Sequence, residues 1–408
     1  MIVRYLKIGL GSLVLLGLFA GLLLRYQASK DRQEYYYLLE TLTYPAPTLI
    51  LNQQGELVRS FDAILSAIDP TFGIAIASTH HDLSYYDIQG KLRFQFNTAK
   101  NIHHSITINP RNGDLYIIAN QVKDYFGTPA LIDSIERYSK EGKLLATFDG
   151  LEQHDKLFKL FSSFIPRKYQ ALGRLPLNPF GYEPWGSSRE LFHFNYLQSI
   201  PKNLYSGKIE GFEEGNILLT MPYYGSFLLL DSETLEIRWR KSFALDHLPL
   251  VEKSWMMTED YVTGFIIHSG TVQQDGNIVY FRNQDFLRTM NCDLRQAPNP
   301  ACTDDERQIF HGAAIGYNPS IDQQDWIVPS TEKLNLDTLI QGSAFLNVRG
   351  NVVVTNSDQA KFYEVDQRGN ILFEFDLAKL FTRSEKSRIY KALEIPKKLL
   401  DPFLHSMR

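Results

Sequence analysis

Hydrophobic positions along the chain fall into short runs and alternations that stop at a polar turn ending in glycine and then resume. The pattern recurs as Leu49-Ile-Leu-Asn-Gln-Gln-Gly-Glu-Leu-Val, Tyr85-Tyr-Asp-Ile-Gln-Gly-Lys-Leu-Arg-Phe, Ile106-Thr-Ile-Asn-Pro-Arg-Asn-Gly-Asp-Leu-Tyr and Glu136-Arg-Tyr-Ser-Lys-Glu-Gly-Lys-Leu-Leu. It continues through Gly211-Phe-Glu-Glu-Gly-Asn-Ile-Leu-Leu, Thr271-Val-Gln-Gln-Asp-Gly-Asn-Ile-Val, Phe345-Leu-Asn-Val-Arg-Gly-Asn-Val-Val and Phe362-Tyr-Glu-Val-Asp-Gln-Arg-Gly-Asn-Ile-Leu. Each reads as a β-hairpin, because glycine supplies the positive φ that a tight turn needs. One flavour, an apolar strand followed by Gly-Asn-Ile-Leu, fits a buried inner pair. The other, Tyr/Leu-x-Asp-x-x-Gly-x-Leu-x-Phe or Trp, fits an outer pair. An inner pair plus an outer pair makes a four-stranded blade, and radial repetition of blades protects sheet edges. The expected fold is therefore all-β, a β-propeller of about six blades over residues 45–376, with Leu49 to Phe61 closing the ring by joining strands from the C-terminal end.

Three stretches fall outside the repeat. Ile8 to Leu24 is an uncharged apolar run, preceded by Arg4 and Lys7, that is about long enough to span a hydrocarbon core. It predicts an N-terminal transmembrane anchor within residues 1–30, with the remainder exported to the periplasm or exterior from the inner membrane. A cleaved signal peptide is the rival, although Gln27-Ala28-Ser29 is a poor cleavage site. Residues 151–189 open with apolar residues at helical spacing (Leu157, Phe158, Leu160, Phe161, Phe164) and then turn Pro-, Gly- and aromatic-rich, as an insertion over one face of the ring would. Residues 377–408 carry apolar residues at helical spacing, interrupted by Pro396 and Pro402, and predict a C-terminal helical pair packed on the propeller.

Composition narrows the function classes. With 44% hydrophobic and 13% aromatic residues and a formal charge of −4, the chain can bury a large core and has no basic excess for nucleic acid. Its two cysteines, Cys292 and Cys302, flank a polar loop with two prolines. In an oxidising compartment they would close that loop as a disulfide, adding ~2–3 kcal/mol. A zinc site is the weaker reading, since no histidine pattern accompanies them. No Gly-x-Ser-x-Gly and no Gly-x-Gly-x-x-Gly is present, which removes serine-hydrolase and dinucleotide readings.

Candidate chemistry lies in the histidines. His103-His104, His193 and His268 each stand immediately before an inner strand of the repeat, so the fold would point them toward one end of the axis. A lone histidine is more often structural; recurrence at one register raises the case for a cluster.

At these residues the chain resembles the bacterial arylsulfate sulfotransferases, six-bladed propellers that pass a sulfuryl group from one phenol to another. The resemblance runs from about Asn101 to Phe375. It is carried by His193-Phe-Asn195, by His268 followed by Gly-Asn-Ile-Val-Tyr-Phe and Asn283, by His103-His104-Ser-Ile-Thr-Ile, and by Gln341-Gly-Ser-Ala with Gly350-Asn-Val-Val-Val. It implies that His268 is transiently sulfated and that His193 and Asn195 contact the sulfuryl oxygens, with His103 or His104 helping to bind them. An aryl sulfate and a hydroxyl acceptor would be the substrates, with no cofactor and no metal. Neutral imidazole is a competent nucleophile near neutral pH, and imidazole and amide donors stabilise an oxyanion. Tyr223, Tyr224, Phe194 and Phe281 are candidates for an aromatic wall, against a role in core packing.

One departure stands against the matches. The family carries an arginine just after the inner strand that follows His-x-Asn, where this chain reads Leu219-Thr-Met221-Pro222-Tyr223-Tyr224. Arg238 and Arg240 lie farther along on an outer strand, and Thr331-Glu-Lys333 is a weak counterpart of the family's late Lys-Thr pair. Losing a bidentate cation against a sulfuryl oxyanion removes several kcal/mol of possible stabilisation. Two readings stay open: a sulfotransferase-like enzyme, or a membrane-anchored propeller that binds a glycan, peptide or protein partner without chemistry.

Overall fold

A computed structural model describes residues 34–41, 47–125, 128–161, 189–190, 192–222, 225–243, 267–283, 311–338, 341–380 and 388–406. The expected anchor, Cys292 and Cys302, Tyr223 and Tyr224, and most of the insertion lie outside the described residues. Among the described residues no helix is long and apolar enough to cross a membrane.

Among the described residues the hairpins assemble into six sheets, five of them built on four sequential antiparallel strands and the sixth completed by a strand from the C-terminal end. Blade 1 holds β1 (Tyr35–Thr41), β2 (Pro47–Leu51) and β3 (Leu57–Asp62). Blade 2 is β4 (Leu65–Asp69), β5 (Gly73–Ala77), β6 (Asp82–Tyr86) and β7 (Leu92–Asn97). Blade 3 is β8 (Asn101–Ile108), β9 (Leu115–Tyr125), β10 (Thr128–Tyr138) and β11 (Leu144–Asp149), and a short β12 (Arg189–Glu190) lies parallel to β10. Blade 4 runs β13 (Tyr196–Ser199), β14 (Ile217–Met221), β15 (Ser226–Leu230), β16 (Ile237–Ser242). Blade 5 runs β17 (Ile267–Val272), β18 (Ile278–Arg282), β19 (Ala313–Asn318), β20 (Gln323–Pro329), and blade 6 runs β21 (Ala344–Leu346), β22 (Val352–Asn356), β23 (Lys361–Val365), β24 (Ile371–Asp376).

The two hairpin flavours occupy the expected places. Second strands such as β14, β18 and β22 are buried at every position, whereas the outermost β3 and β7 alternate exposed and half-buried residues. The recurrent Asp or Asn of the outer hairpin closes an Asx turn: Asp87 Oδ1 accepts from the backbone of Gln89 and Lys91, and Asp366 Oδ1 from Arg368 and Asn370. Asn52 does the same for Gln54 and Glu56.

Ring closure departs from the expected C-terminal helical pair. Ile389–Pro396 is β25, an inner strand that pairs antiparallel with β1 and completes blade 1 in the order β25-β1-β2-β3. Only Lys397–Ser406 is helical (α2), and it seals one face by burying Leu400, Phe403 and Leu404 against Ile50, Phe61 and Tyr86. The reason is non-local: without β25 the inner edge of β1 would face the axis unpaired. The propeller therefore begins at Tyr35 and takes in β25. In the insertion, His154–Phe161 forms the expected helix (α1), with Leu157 fully buried in the core shared by blades 3 and 4.

Each inner strand starts on one face of the ring, called the upper face, and ends on the lower. Glu34, where the described chain starts, accepts the backbone N–H of Lys397 beyond the end of β25, so it lies on the lower face.

Candidate functional site

The inner strands of blades 3, 4 and 5 share a local distortion at their upper ends. His104, His193 and Ser269 adopt left-handed backbone angles, with φ of 58°, 50° and 56°. In β8 the pairing with β9 slips between Ile102 and Ile106, and in β17 the pairing with β18 slips between His268 and Thr271. Non-glycine residues with positive φ are uncommon and cluster at functional sites. His193 does precede its strand, as its sequence position suggested. His103, His104 and His268 instead lie inside theirs, at an irregularity in the pairing with the second strand. The next residue in blade 5, Gly270, has no room for a side chain: a Cβ there would meet the Phe227 ring at 2.4 Å.

The structure brings the sequence-picked residues together. The His103 and His104 ring centroids are 4.6 Å apart, and those of His104 and His193 are 4.8 Å apart in an edge-on arrangement. Asn195 Nδ2 lies 3.5 Å from His104 Nδ1, a long and weak contact. Burial, then the neighbouring His103, His193, His268 and His80, hold His104 well below the usual imidazole range. Burial, and after it the charge of His193, push His268 down to about 3, partly offset by its bond to Asn283. These imidazoles are close enough to repel one another when protonated, so His104 and His268 stand neutral at physiological pH.

His268 is held from behind. Its Nδ1 lies 2.6 Å from Asn283 Oδ1, and Asn283 Nδ2 donates to the Thr338 carbonyl at 3.1 Å. The second bond fixes which way the amide points, so Oδ1 faces the ring and His268 must donate through Nδ1–H. Nε2 keeps its lone pair.

Several members were not legible as site residues. Asp133, fully buried on β10, accepts from His103 Nε2 at 2.9 Å and from the Phe194 backbone N–H at 2.8 Å. Tyr390 on β25 donates to the Asn195 carbonyl at 3.1 Å, and its ring lies 6.1 Å from that of His104. Below it on the axis Lys391 and Glu40 form an ion pair at 2.8 Å, with side chains 3% and 0% exposed, and Glu40 Oε1 also accepts from the Ser66 N–H and hydroxyl. No local pattern marks these residues, since each acquires its role only when the ring closes.

Other candidates fall elsewhere. Phe194 and Phe281 are fully buried core side chains rather than an aromatic wall. Arg238 pairs with Asp231 on the outermost strand of blade 4. Thr331-Glu-Lys333 is an exposed turn. Arg282, unmarked in the sequence, is buried beside Asn283, but its Nη2 donates to the His311 carbonyl at the head of the third strand of its blade, away from the axis. Three buried amide oxygens have no hydrogen-bond partner among the described residues: Asn277 Oδ1, in the turn between β17 and β18, and two others, Asn195 Oδ1 and Gln341 Oε1. Both stand at heads of inner strands. Among the described residues, no group of three or more His, Cys, Asp or Glu is arranged to hold a metal ion.

No family model matches the chain, and no curated protein matches it. Among solved structures, a protein of unknown function from Bacteroides caccae superposes with a TM-score of 0.50 at 9% identity, covering 89% of this chain and 99% of its own. BamB from Moraxella catarrhalis gives 0.35 at 11% identity over 83% of this chain and 87% of its own. The dihydro-heme d1 dehydrogenase NirN, in complex with DHE, gives 0.34 at 10% identity over 84% and 53%. At such identities the likeness concerns the fold alone.

Proposed function

We propose that the upper end of the axis transfers a sulfuryl group from an aryl sulfate to a phenol or other hydroxyl, with His268 as the nucleophile. The observation that carries this reading is the setting of His268: a buried, neutral imidazole whose Nδ1–H is tied to an oriented amide, leaving Nε2 as an attacking lone pair. In the loading step Nε2 bonds to sulfur as the S–O bond to the aryl oxide breaks. In the discharge step the acceptor oxygen bonds to sulfur and the S–N bond breaks. His104, His193 and the Asn195 amide would donate to the sulfuryl oxygens. Whichever way the Asn195 amide is turned, one of its polar atoms is left for a ligand, a reason to expect a polar occupant here.

The test is incubation with an aryl sulfate alone, followed by mass analysis under mildly basic conditions. The reading requires a sulfuryl adduct on His268, its absence in His268→Ala, and its discharge when an acceptor phenol is added. The sequence lacks the guanidinium expected near Pro222, which favours one rival, a propeller that binds without reacting. Wild type that yields neither adduct nor phenol release across a broad donor panel, yet binds those donors, establishes that rival.

In the same reading, residues 8–24 anchor the chain in the inner membrane, the propeller stands in the periplasm or exterior, and Cys292 and Cys302 are joined. Glu34 lies on the lower face, so the histidines would point away from the bilayer. A C-terminal reporter fusion active only in the cytoplasm overturns this topology, and ready thiol labelling of the unreduced, exported protein overturns the disulfide.

A further inference from the structure

Asp133 is placed to do more than pack. It is fully buried on the third strand of blade 3, and each carboxylate oxygen has one partner from a different part of the site. Oδ1 receives His103 Nε2 at 2.9 Å, and Oδ2 receives the Phe194 backbone N–H at 2.8 Å. Phe194 lies between His193 and Asn195, so one carboxylate grips the histidine pair of blade 3 and the His-x-Asn segment of blade 4 together. Its own carbonyl accepts from the Gly150 N–H at 2.9 Å, which fixes the backbone behind it.

A carboxylate only accepts. In its neutral form His103 must therefore carry its proton on Nε2 and keep a lone pair on Nδ1, with its side chain 12% exposed rather than sealed. We infer that Asp133 is a positioning residue that sets this tautomer, making His103 the base that takes the proton of the attacking hydroxyl. This role rests on the sulfuryl-transfer reading; the tautomer does not. During discharge the acceptor oxygen forms its bond to sulfur while the bond from sulfur to His268 Nε2 breaks. The electron pair returns to Nε2, and the hydroxyl proton passes to His103 Nδ1. In the next loading step the same proton leaves Nδ1 for the departing aryl oxide, so the cycle closes without a further reactant.

Asp133→Asn tests the assignment while keeping the shape. The Phe194 N–H still requires an oxygen, which forces the amide NH₂ toward His103; Nε2 must then accept, and the proton moves to Nδ1. Ring ¹⁵N spectra of the substrate-free, full-length protein are recorded at mildly alkaline pH, where an ordinary imidazole is neutral. Wild type is expected to show a protonated Nε2 and Asp133→Asn a protonated Nδ1 on His103, assigned by loss of the signals in His103→Gln. A protonated Nδ1 in wild type, or an unchanged tautomer in a folded Asp133→Asn, overturns the inference. If Asp133→Asn does not fold, the wild-type spectrum decides alone.

The kinetic arm uses an aryl sulfate donor and a phenol acceptor. Asp133→Asn is expected to slow discharge of the His268 adduct by roughly 10²–10⁴-fold, the usual range for a general base. Full discharge rate with a switched tautomer overturns the base role of His103. Absence of any adduct in wild type instead refutes the sulfuryl-transfer reading, and the base role with it, while the spectra still judge the positioning by Asp133.

Discussion

The hydroxyl of Tyr390 donates to the backbone carbonyl of Asn195 at 3.1 Å, joining the closing strand of the ring to the His-x-Asn segment of blade 4. Both partners are buried, so removing the donor leaves a buried carbonyl without the one side-chain donor it has among the described residues. Tyr390→Phe is expected to lower the unfolding free energy by about 1–3 kcal/mol, measured by denaturant titration, with the fold retained. An unchanged midpoint would mean that the bond does not form in solution.

The Asn283 amide decides which nitrogen of His268 is free. Asn283→Ala removes the acceptor for Nδ1–H and lets the ring turn or change tautomer, without touching the nucleophile itself. The rate of adduct formation on His268 should fall about tenfold, the kinetic equivalent of one net hydrogen bond, and Asn283→Gln should not restore it because its amide sits one carbon too far. Rates equal to wild type in both variants would remove Asn283 from the site.

Acid should weaken the protein through its histidines. His268 falls from 6.5 in the unfolded chain to about 3 in the fold, and His104 is lowered in the same direction. A depressed folded value means that the stabilising contribution is fully present above pH 6.5 and is lost as pH falls toward 3. Across that window the unfolding free energy should fall by about 1.4 kcal/mol per pH unit through His268, with His104 adding in the same direction, beyond what carboxylates contribute. Denaturant midpoints measured between those limits should show a shallower slope in His268→Gln; an identical slope would refute the neutral buried imidazole.

The Lys391–Glu40 pair sits below the site with almost no exposure. Lys391→Met strands a buried carboxylate and should cost about 3–5 kcal/mol. Combining it with Glu40→Gln removes the charge while leaving an oxygen for Ser66, and should recover most of that loss in the same denaturant assay. A double variant no better than Lys391→Met would show that the loss comes from packing rather than charge.

Helix α2 holds the closing strand in place. Phe403 is buried between Phe61 and Tyr86, with ring centroids 5.8 Å away in both cases, and Tyr36 donates to Asp401 on the same helix. Phe403→Ala is expected to cost about 3–5 kcal/mol. A thermal midpoint within a degree or so of wild type would place the helix outside the cooperative fold.

What the sequence by itself determined was local. Glycine with an Asp or Asn two to three places earlier specifies a hairpin turn, and continuous against alternating apolar runs separate inner strands from outer ones, so the repeat and a ring of about six blades were legible, while the exact count came from the closed ring. The repeat also set His103, His104, His193 and His268 in related registers, because a strand position fixes where along the axis a side chain lies. Pairing across the ring was left to the tertiary structure. Ile389–Pro396 has apolar residues at a spacing that also suits a helix, and it became a strand because the open edge of β1, more than 300 residues earlier, supplied backbone partners. Asp133 and Tyr390 look like ordinary strand residues in one dimension. Each has a partner in blade 4, Phe194 for Asp133 and Asn195 for Tyr390, and a hydrogen bond depends on distance in space, which the packing of blades around the ring sets.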